Sequence, residues 1–147
     1  MNQVNYYFEN IQRFSYGLPP KKWIKKCVVQ ERGSIEILNF IFCSDKYLQS
    51  LNKKYLNKAD LTDVIAFPHQ YPDFFEILPY RHVSGDVFIS IERIKENCKK
   101  YNTIFAKELM RVMIHGTLHL LGFKDSSKKE KLIMKTKEDI YIKVRNV

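Results

Sequence analysis

The chain has 147 residues, 45% of them hydrophobic, and carries 25 lysines and arginines against 16 acidic residues, a formal net charge of +9. That is the size of a single globular domain, 1–147, able to bury a core without disulfide staples, and no apolar run approaches the roughly 18 residues of a membrane span. The positive charge favours polyanionic partners such as nucleic acid, although no Arg/Gly repeat or zinc-knuckle spacing accompanies it.

The opening MNQVNYYFENIQ lacks a basic region followed by an apolar one, so no secretory signal is expected. Cys27, Cys43 and Cys98 are odd in number and show no CxxC. They read as buried thiols of a reducing compartment, the cytoplasm.

VNYYFE suits a first strand. Leu18-Pro19-Pro20 breaks the chain, and PKKWIKKCVVQERG reads as a helix closed by Gly33, with Trp23, Ile24, Cys27 and Val28 as its apolar stripe. SIEILNFIFCS has strand character with Ile35, Ile37, Phe40 and Phe42 pointing inward, although the alternation slips at Leu38. Ser44 or Asp45 caps the helix KYLQSLNKKYL. Val64 to Phe67 is a short buried strand ended by Pro68. Residues 69–84 read as an irregular aromatic insertion that also holds His69 and His82, both expected in loops. Val87 to Ile89 forms a further strand, passing into a helix near Ser90. Asn102 or Thr103 then caps the long helix IFAKELMRVMIHGTLHLLG, apolar around most of its circumference and therefore central. Gly122 ends it as a C-cap glycine does. Ser126 and Ser127 open a last helix, KKEKLIMKTKEDIYIKV, amphipathic and basic. This order predicts an α+β fold, a mixed sheet with surrounding helices.

Within the long helix, His115 and His119 are four residues apart and share one face. On spacing alone two hydrogen-bonded core histidines are the commoner outcome, and a pair of metal ligands is the alternative. Gly116 costs roughly 1 kcal/mol relative to alanine in mid-helix, which calls for a close approach to the backbone there. After the Gly122 turn comes Asp125, placed to bring a carboxylate back to the histidines. Two imidazoles, a carboxylate and an open position make the composition of a catalytic rather than a structural zinc site. No HExxH glutamate is present, because Gly116 occupies its position, so peptidase chemistry lacks its usual base.

HGTLHLLGFKD resembles the HGxLHLxGxDH signature of the YbeY-type endoribonucleases, metal-dependent enzymes of rRNA maturation and ribosome quality control. LNKKYLNKADLTDVIAFP resembles the family's LNxxYRxKDxPTDVLSFP block, and GDVFISIE its GDIxIS strand. The resemblance spans residues 51 to 125 in order. It implies a zincin-like arrangement with a metal-bearing central helix. It also implies one Zn²⁺ per chain held by His115, His119 and Asp125, the last standing where the family has a histidine. A carboxylate there cancels one unit of the ion's charge and leaves water less acidified than three imidazoles would. Leu56 stands where the family has an arginine, so phosphate contact would fall to Lys53, Lys54 or Lys58, or to Arg81, Arg93 or Arg111.

The activity implied is cleavage of RNA phosphodiesters at the 3′ end of small-subunit rRNA. The partners would be rRNA and the small ribosomal subunit or its assembly proteins, with neither membrane nor DNA. Arg111, Lys124 and Glu108 are the candidate supporting residues. Asp63 reads as a capping residue or a partner to the site, and Asp86 as a turn residue first and, as the lesser alternative, a group that orients a ligand histidine. Attack by water and attack by the ribose 2′-hydroxyl remain equally open. Two other functions fit the residues: a ribosome-associated RNA-binding assembly factor with a structural metal, and a zinc-dependent hydrolase of another class.

Overall fold

The computed structural model describes residues 2–58, 60–69 and 81–144. Among these residues nine elements follow one another: β1 (Gln3–Glu9), α1 (Lys21–Gln30), β2 (Gly33–Cys43), α2 (Asp45–Leu56), β3 (Val64–Pro68), β4 (Arg81–Ser90), α3 (Ile91–Tyr101), α4 (Phe105–Leu120) and α5 (Lys128–Ile142). The strands form one mixed sheet in the order β1-β2-β4-β3. The pairs β1–β2 and β2–β4 are parallel, and β3 joins β4 antiparallel. This is the expected α+β layout. No helix among the described residues is long and apolar enough to cross a membrane.

The core lies on the sheet face covered by α1 and α4. Leu38, Phe40 and Phe42 of β2 and Val87 and Ile89 of β4 are fully buried there, against Trp23 and Ile24 of α1 and Leu109 and Met113 of α4. A smaller cluster, Cys43, Leu48 and Ile65, lies under α2. Burial pushes the Cys27 and Cys43 thiols up to about 12, so both remain protonated packing groups.

Several local readings change. The slip of alternation in β2 is a bulge: Ile35 pairs with Val83 and Ile37 with Ser84, leaving Glu36 as the extra residue. Leu38 therefore takes the inward place expected of Ile37, which is half-buried. Gly33 does not close α1. Arg32 adopts the left-handed turn, at φ 59, and Gly33 begins β2, where a Cβ would sit 2.9 Å from Leu121 Cδ2.

Residues 81–84 belong to β4 rather than to a loop, because the long β2 pairs with them from Gly33 onward. His82 is accordingly a strand residue, its Nδ1 2.7 Å from Ser34 Oγ. The remainder of that insertion, residues 70–80, lies outside the described residues. Asn102 supplies the left-handed C-cap of α3, so α4 starts instead from Ile104 with no side-chain cap.

Candidate metal centre

Gly116 lets α4 lie flat on the sheet. A Cβ at that position would come within 2.6 Å of Val87 Cγ1 and 3.3 Å of Val64 Cγ2. The close approach inferred from the sequence is thus made by β4 and β3, and it sets the height of the flanking histidine over the strands. At its end α4 closes in a Schellman turn: the Gly122 amide donates to His119 O and the Phe123 amide to Leu118 O, with Gly122 at φ 101. Five residues later Ser127 caps α5 and Glu130 completes a capping box. The short segment between these two fixed helix ends carries Asp125.

The turn also settles a tautomer. His119 Nδ1 lies 3.0 Å from Phe123 O, an acceptor only, so the Nδ1 proton points there and Nε2 keeps its lone pair. His115 is set in the same way by a different group. Its Nδ1 is 2.7 Å from Glu138 Oε2 on α5, and Glu138 also accepts from Arg111 Nη1 at 3.0 Å while Arg111 Nη2 donates to Asp139 at 2.7 Å.

Both Nε2 atoms then face one point, 3.0 Å apart. Asp125 Oδ2 stands 3.4 Å from that of His115 and 3.5 Å from that of His119. A tetrahedral zinc with bonds of about 2.0–2.1 Å places its donor atoms about 3.3 Å apart. The three atoms therefore fit such an ion with little adjustment, and these residues form a group able to hold a metal. Burial works against the charged form of His115, but the hydrogen bond and charge of Glu138, with Asp125 and Asp63 behind it, raise its pKa on balance.

Two cavities flank this point. One, about 570 Å³, is lined by His115, Asp125, Arg111, Glu108, Lys107 and Lys131 among others. The second, about 590 Å³, lies on the His119 side and includes Asn52, Leu56, Lys58 and Thr62. Leu56 thus borders the site, and Lys58 is the cation that accompanies it.

Of the supporting residues read from the sequence, Glu108 is 6% exposed, and burial raises its pKa although Asn97 donates to it at 3.2 Å. Arg111 reaches the cavity but is held by two carboxylates. Lys124 is exposed and lines neither cavity. Arg93 is paired with Asp45 at 3.0 Å, and the Arg81 guanidinium stacks on Phe123 at 4.6 Å.

Asp86 does not orient a ligand histidine. It accepts instead from Asn39 at 2.9 Å and His69 at 3.1 Å on the polar side of the sheet. Asp63 receives Asn97 at 3.2 Å. The residue that does orient a histidine, Glu138, escaped the sequence reading. Its signal was a glutamate four residues after buried Met134 and three before buried Tyr141, on the covered stripe of an amphipathic helix.

A mixed sheet crossed by a helix that offers two imidazoles, with a carboxylate returned by the next turn, defines a zincin-like metal protein. The family model described as Endoribonuclease YbeY matches residues 9–145. Proteins named Endoribonuclease YbeY are 45% identical in Karelsulcia muelleri, over 95% of this chain and 93% of that one, and 42% identical in Flavobacterium psychrophilum, over 85% and 84%. A Thermotoga maritima protein solved in solution shares the fold with a TM-score of 0.62 and 28% identity, over 94% of this chain and 87% of that one. The chain belongs to the YbeY endoribonuclease family.

Proposed function

We infer that this protein is a zinc-dependent endoribonuclease of rRNA maturation, binding one ion per chain through His115, His119 and Asp125. The observation that carries the reading is the convergence of two Nε2 lone pairs and a carboxylate oxygen at 3.0, 3.4 and 3.5 Å, with both Nδ1 protons engaged elsewhere. When bound there, zinc supplies Lewis-acid polarisation of a phosphoryl oxygen and acidification of water.

The chain's own groups do the rest. Glu138 and Phe123 O hold the imidazoles in the ligating tautomer. Lys107 and Lys131, on the rim of the cavity that contains His115, attract the RNA backbone and oppose charge developing in the transition state. Arg111 is a positioning residue, because both of its donors are directed at Glu138 and Asp139. Glu108, seven residues and about 10 Å along the helix from His115, is buried beside Asn97 and is no general base. The substrate is the 3′ region of small-subunit rRNA, met on the small subunit or its assembly proteins in the cytoplasm. The family and the +9 charge support this assignment.

The test is elemental mass spectrometry on protein purified without added metal, together with cleavage of an rRNA precursor, for wild type, His119→Ala and Asp125→Ala. Near-equimolar zinc and RNA cleavage, both lost in the two folded variants, is the expected result. Metal retained in Asp125→Ala removes Asp125 from the ligand set. RNA binding without cleavage by zinc-loaded wild type replaces the enzyme with an assembly factor.

A further inference from the structure

The loop joining β1 to α1 takes no part in the metal centre, yet it lays out a run of aromatic rings. Phe8 meets Phe14 at 5.2 Å between centroids, Phe14 meets Tyr16 at 5.2 Å, and Tyr16 meets Phe105 at 5.4 Å. Gly17, at φ 76, presses so closely on Phe105 that a Cβ would lie 2.8 Å from its ring. The loop is thereby pinned to the first residue of α4. Packing accounts for Phe14, which also touches Phe42. It does not account for Tyr16, which is 58% exposed and whose hydroxyl has no hydrogen-bond partner among the described residues.

Beside this ring run opens a cavity of about 470 Å³ lined by Tyr6, Phe8, Phe14, Arg13 and Lys21 among others, within the size range of small-ligand sites. The Arg13 guanidinium lies 5.6 Å from the Phe8 centroid and the Lys21 ammonium 5.3 Å from that of Tyr6. Among the described residues neither cation has an ion-pair partner. Lys21 also opens α1, whose lysines 22, 25 and 26 continue the charge without an acidic residue in the first turn. A supported, exposed ring next to unneutralised cations is the chemistry that holds single-stranded nucleic acid: bases stack on rings, and cations meet phosphates. An apolar peptide would leave the cations unused, and a duplex has no free base face to offer the ring.

We propose that the β1–α1 loop is a second binding site for single-stranded RNA, in which Tyr16 stacks a base and Arg13 and Lys21 hold the neighbouring phosphates. The inference rests on the endoribonuclease reading for the identity of the nucleic acid. Phe105 stands ten residues before His115, about 15 Å along α4, and the cavity that contains His115 reaches back to Thr103 and Lys107 at that same end. One strand therefore spans both sites, and long single strands bind more tightly than short ones.

The test is fluorescence anisotropy on the zinc-loaded protein with fluorescein-labelled 2′-O-methyl phosphorothioate oligouridylates, which resist cleavage, of about 16 and about 4 nucleotides. Tyr16→Ala is expected to weaken binding of the long probe roughly tenfold, and Tyr16→Phe to restore it. The short probe, able to occupy the metal centre alone, is weakened less. The double variant Arg13→Gln/Lys21→Gln lowers the slope of log affinity against log salt by about 1.4, the loss of two single-strand phosphate contacts. Long-probe affinity and salt slope equal to wild type in all these variants, each with an unchanged melting temperature, overturns the proposal. Cleavage of an rRNA precursor by wild type is measured in parallel. A Tyr16-dependent probe with no cleavage leaves the loop site standing and removes the enzyme, whereas cleavage with a Tyr16-independent probe does the reverse.

Discussion

Replacing Glu138 by glutamine tests whether the imidazoles are preset by the protein. Glu138 is 7% exposed and accepts two hydrogen bonds, from His115 Nδ1 at 2.7 Å and Arg111 Nη1 at 3.0 Å. Glutamine keeps the shape but offers one oxygen and one NH₂ group, so one of those donors must now face another donor. If the amide faces His115, the ring turns to its other tautomer and Nε2 gains a proton directed at the ligand centre. If it faces Arg111, a partly buried guanidinium loses a carboxylate and keeps only Asp139. Loss of such an orienting partner lowers metal affinity about 10- to 100-fold, or about 1.4–2.8 kcal/mol. Asp139→Asn is the control. Asp139 is 46% exposed at its side chain and binds only the outer donor of Arg111, so its loss costs a few tenths of a kcal/mol at most. The assay is zinc competition against a chromophoric chelator, with circular dichroism to confirm folding. Unchanged zinc affinity in a folded Glu138→Gln protein, or an equal loss in Asp139→Asn, refutes the reasoning.

Gly116→Ala forces a Cβ to 2.6 Å from Val87 Cγ1. Overpacking of about 1–3 kcal/mol outweighs the roughly 1 kcal/mol gained in helix propensity, so urea denaturation should show a lower midpoint. Ser127→Ala removes the hydroxyl that accepts from the Glu130 amide at 3.1 Å and should cost about 1 kcal/mol by the same assay. Glu108→Gln has a pH signature. Burial raises the Glu108 pKa above 4.5, so the folded state holds its proton more tightly than the unfolded state, and stability falls as pH climbs from 4.5 through the folded value. Glutamine avoids that loss while still accepting from Asn97. The variant should therefore be the more stable protein at neutral pH, by about 1.4 kcal/mol for each unit of elevation, and match wild type below pH 4.5. Thermal melts across that range check it, and an advantage that persists in acid contradicts the burial argument.

The parts of the site that share one helix or one turn were legible in the sequence, because periodicity states which side chains meet. His115 and His119 are neighbours by helical geometry alone, and Gly122 announces the turn that returns Asp125. Contacts made between elements were not legible. Glu138 reaches His115 across 23 residues of sequence, and its helix reads as basic because most of its charges face water. The start of β4 was hidden for a related reason. Val83, Gly85, Val87 and Ile89 alternate as buried positions, but Gly85 carries no hydrophobic signal and the polar residues between them resemble a loop. What makes Arg81–Ser84 a strand is the length of β2 beside it. At the start of α4, Asn102 is claimed by the end of α3, where a left-handed residue is required at φ 51.

The three groups proposed as donors differ in how firmly the protein holds them, and this suits an aspartate to the third place. His115 is locked by Glu138, which is itself nearly buried and tied to Arg111. His119 is locked by a backbone carbonyl in a Schellman turn that few side-chain changes would move. Asp125 is different. Its side chain is 42% exposed, and its carboxylate contacts among the described residues are the two histidines themselves. Exchanging the group there disturbs no buried partner among the described residues, so an oxygen ligand would fit without rebuilding its surroundings. The exchange still alters the charge at the centre. Asp125→His should keep the metal and the melting temperature, while moving the acidic limb of the pH–rate profile downward, because a negative charge leaves the ligand set and water ionises more readily. A limb that stays in place would mean that the group titrating in that profile is not water at this centre.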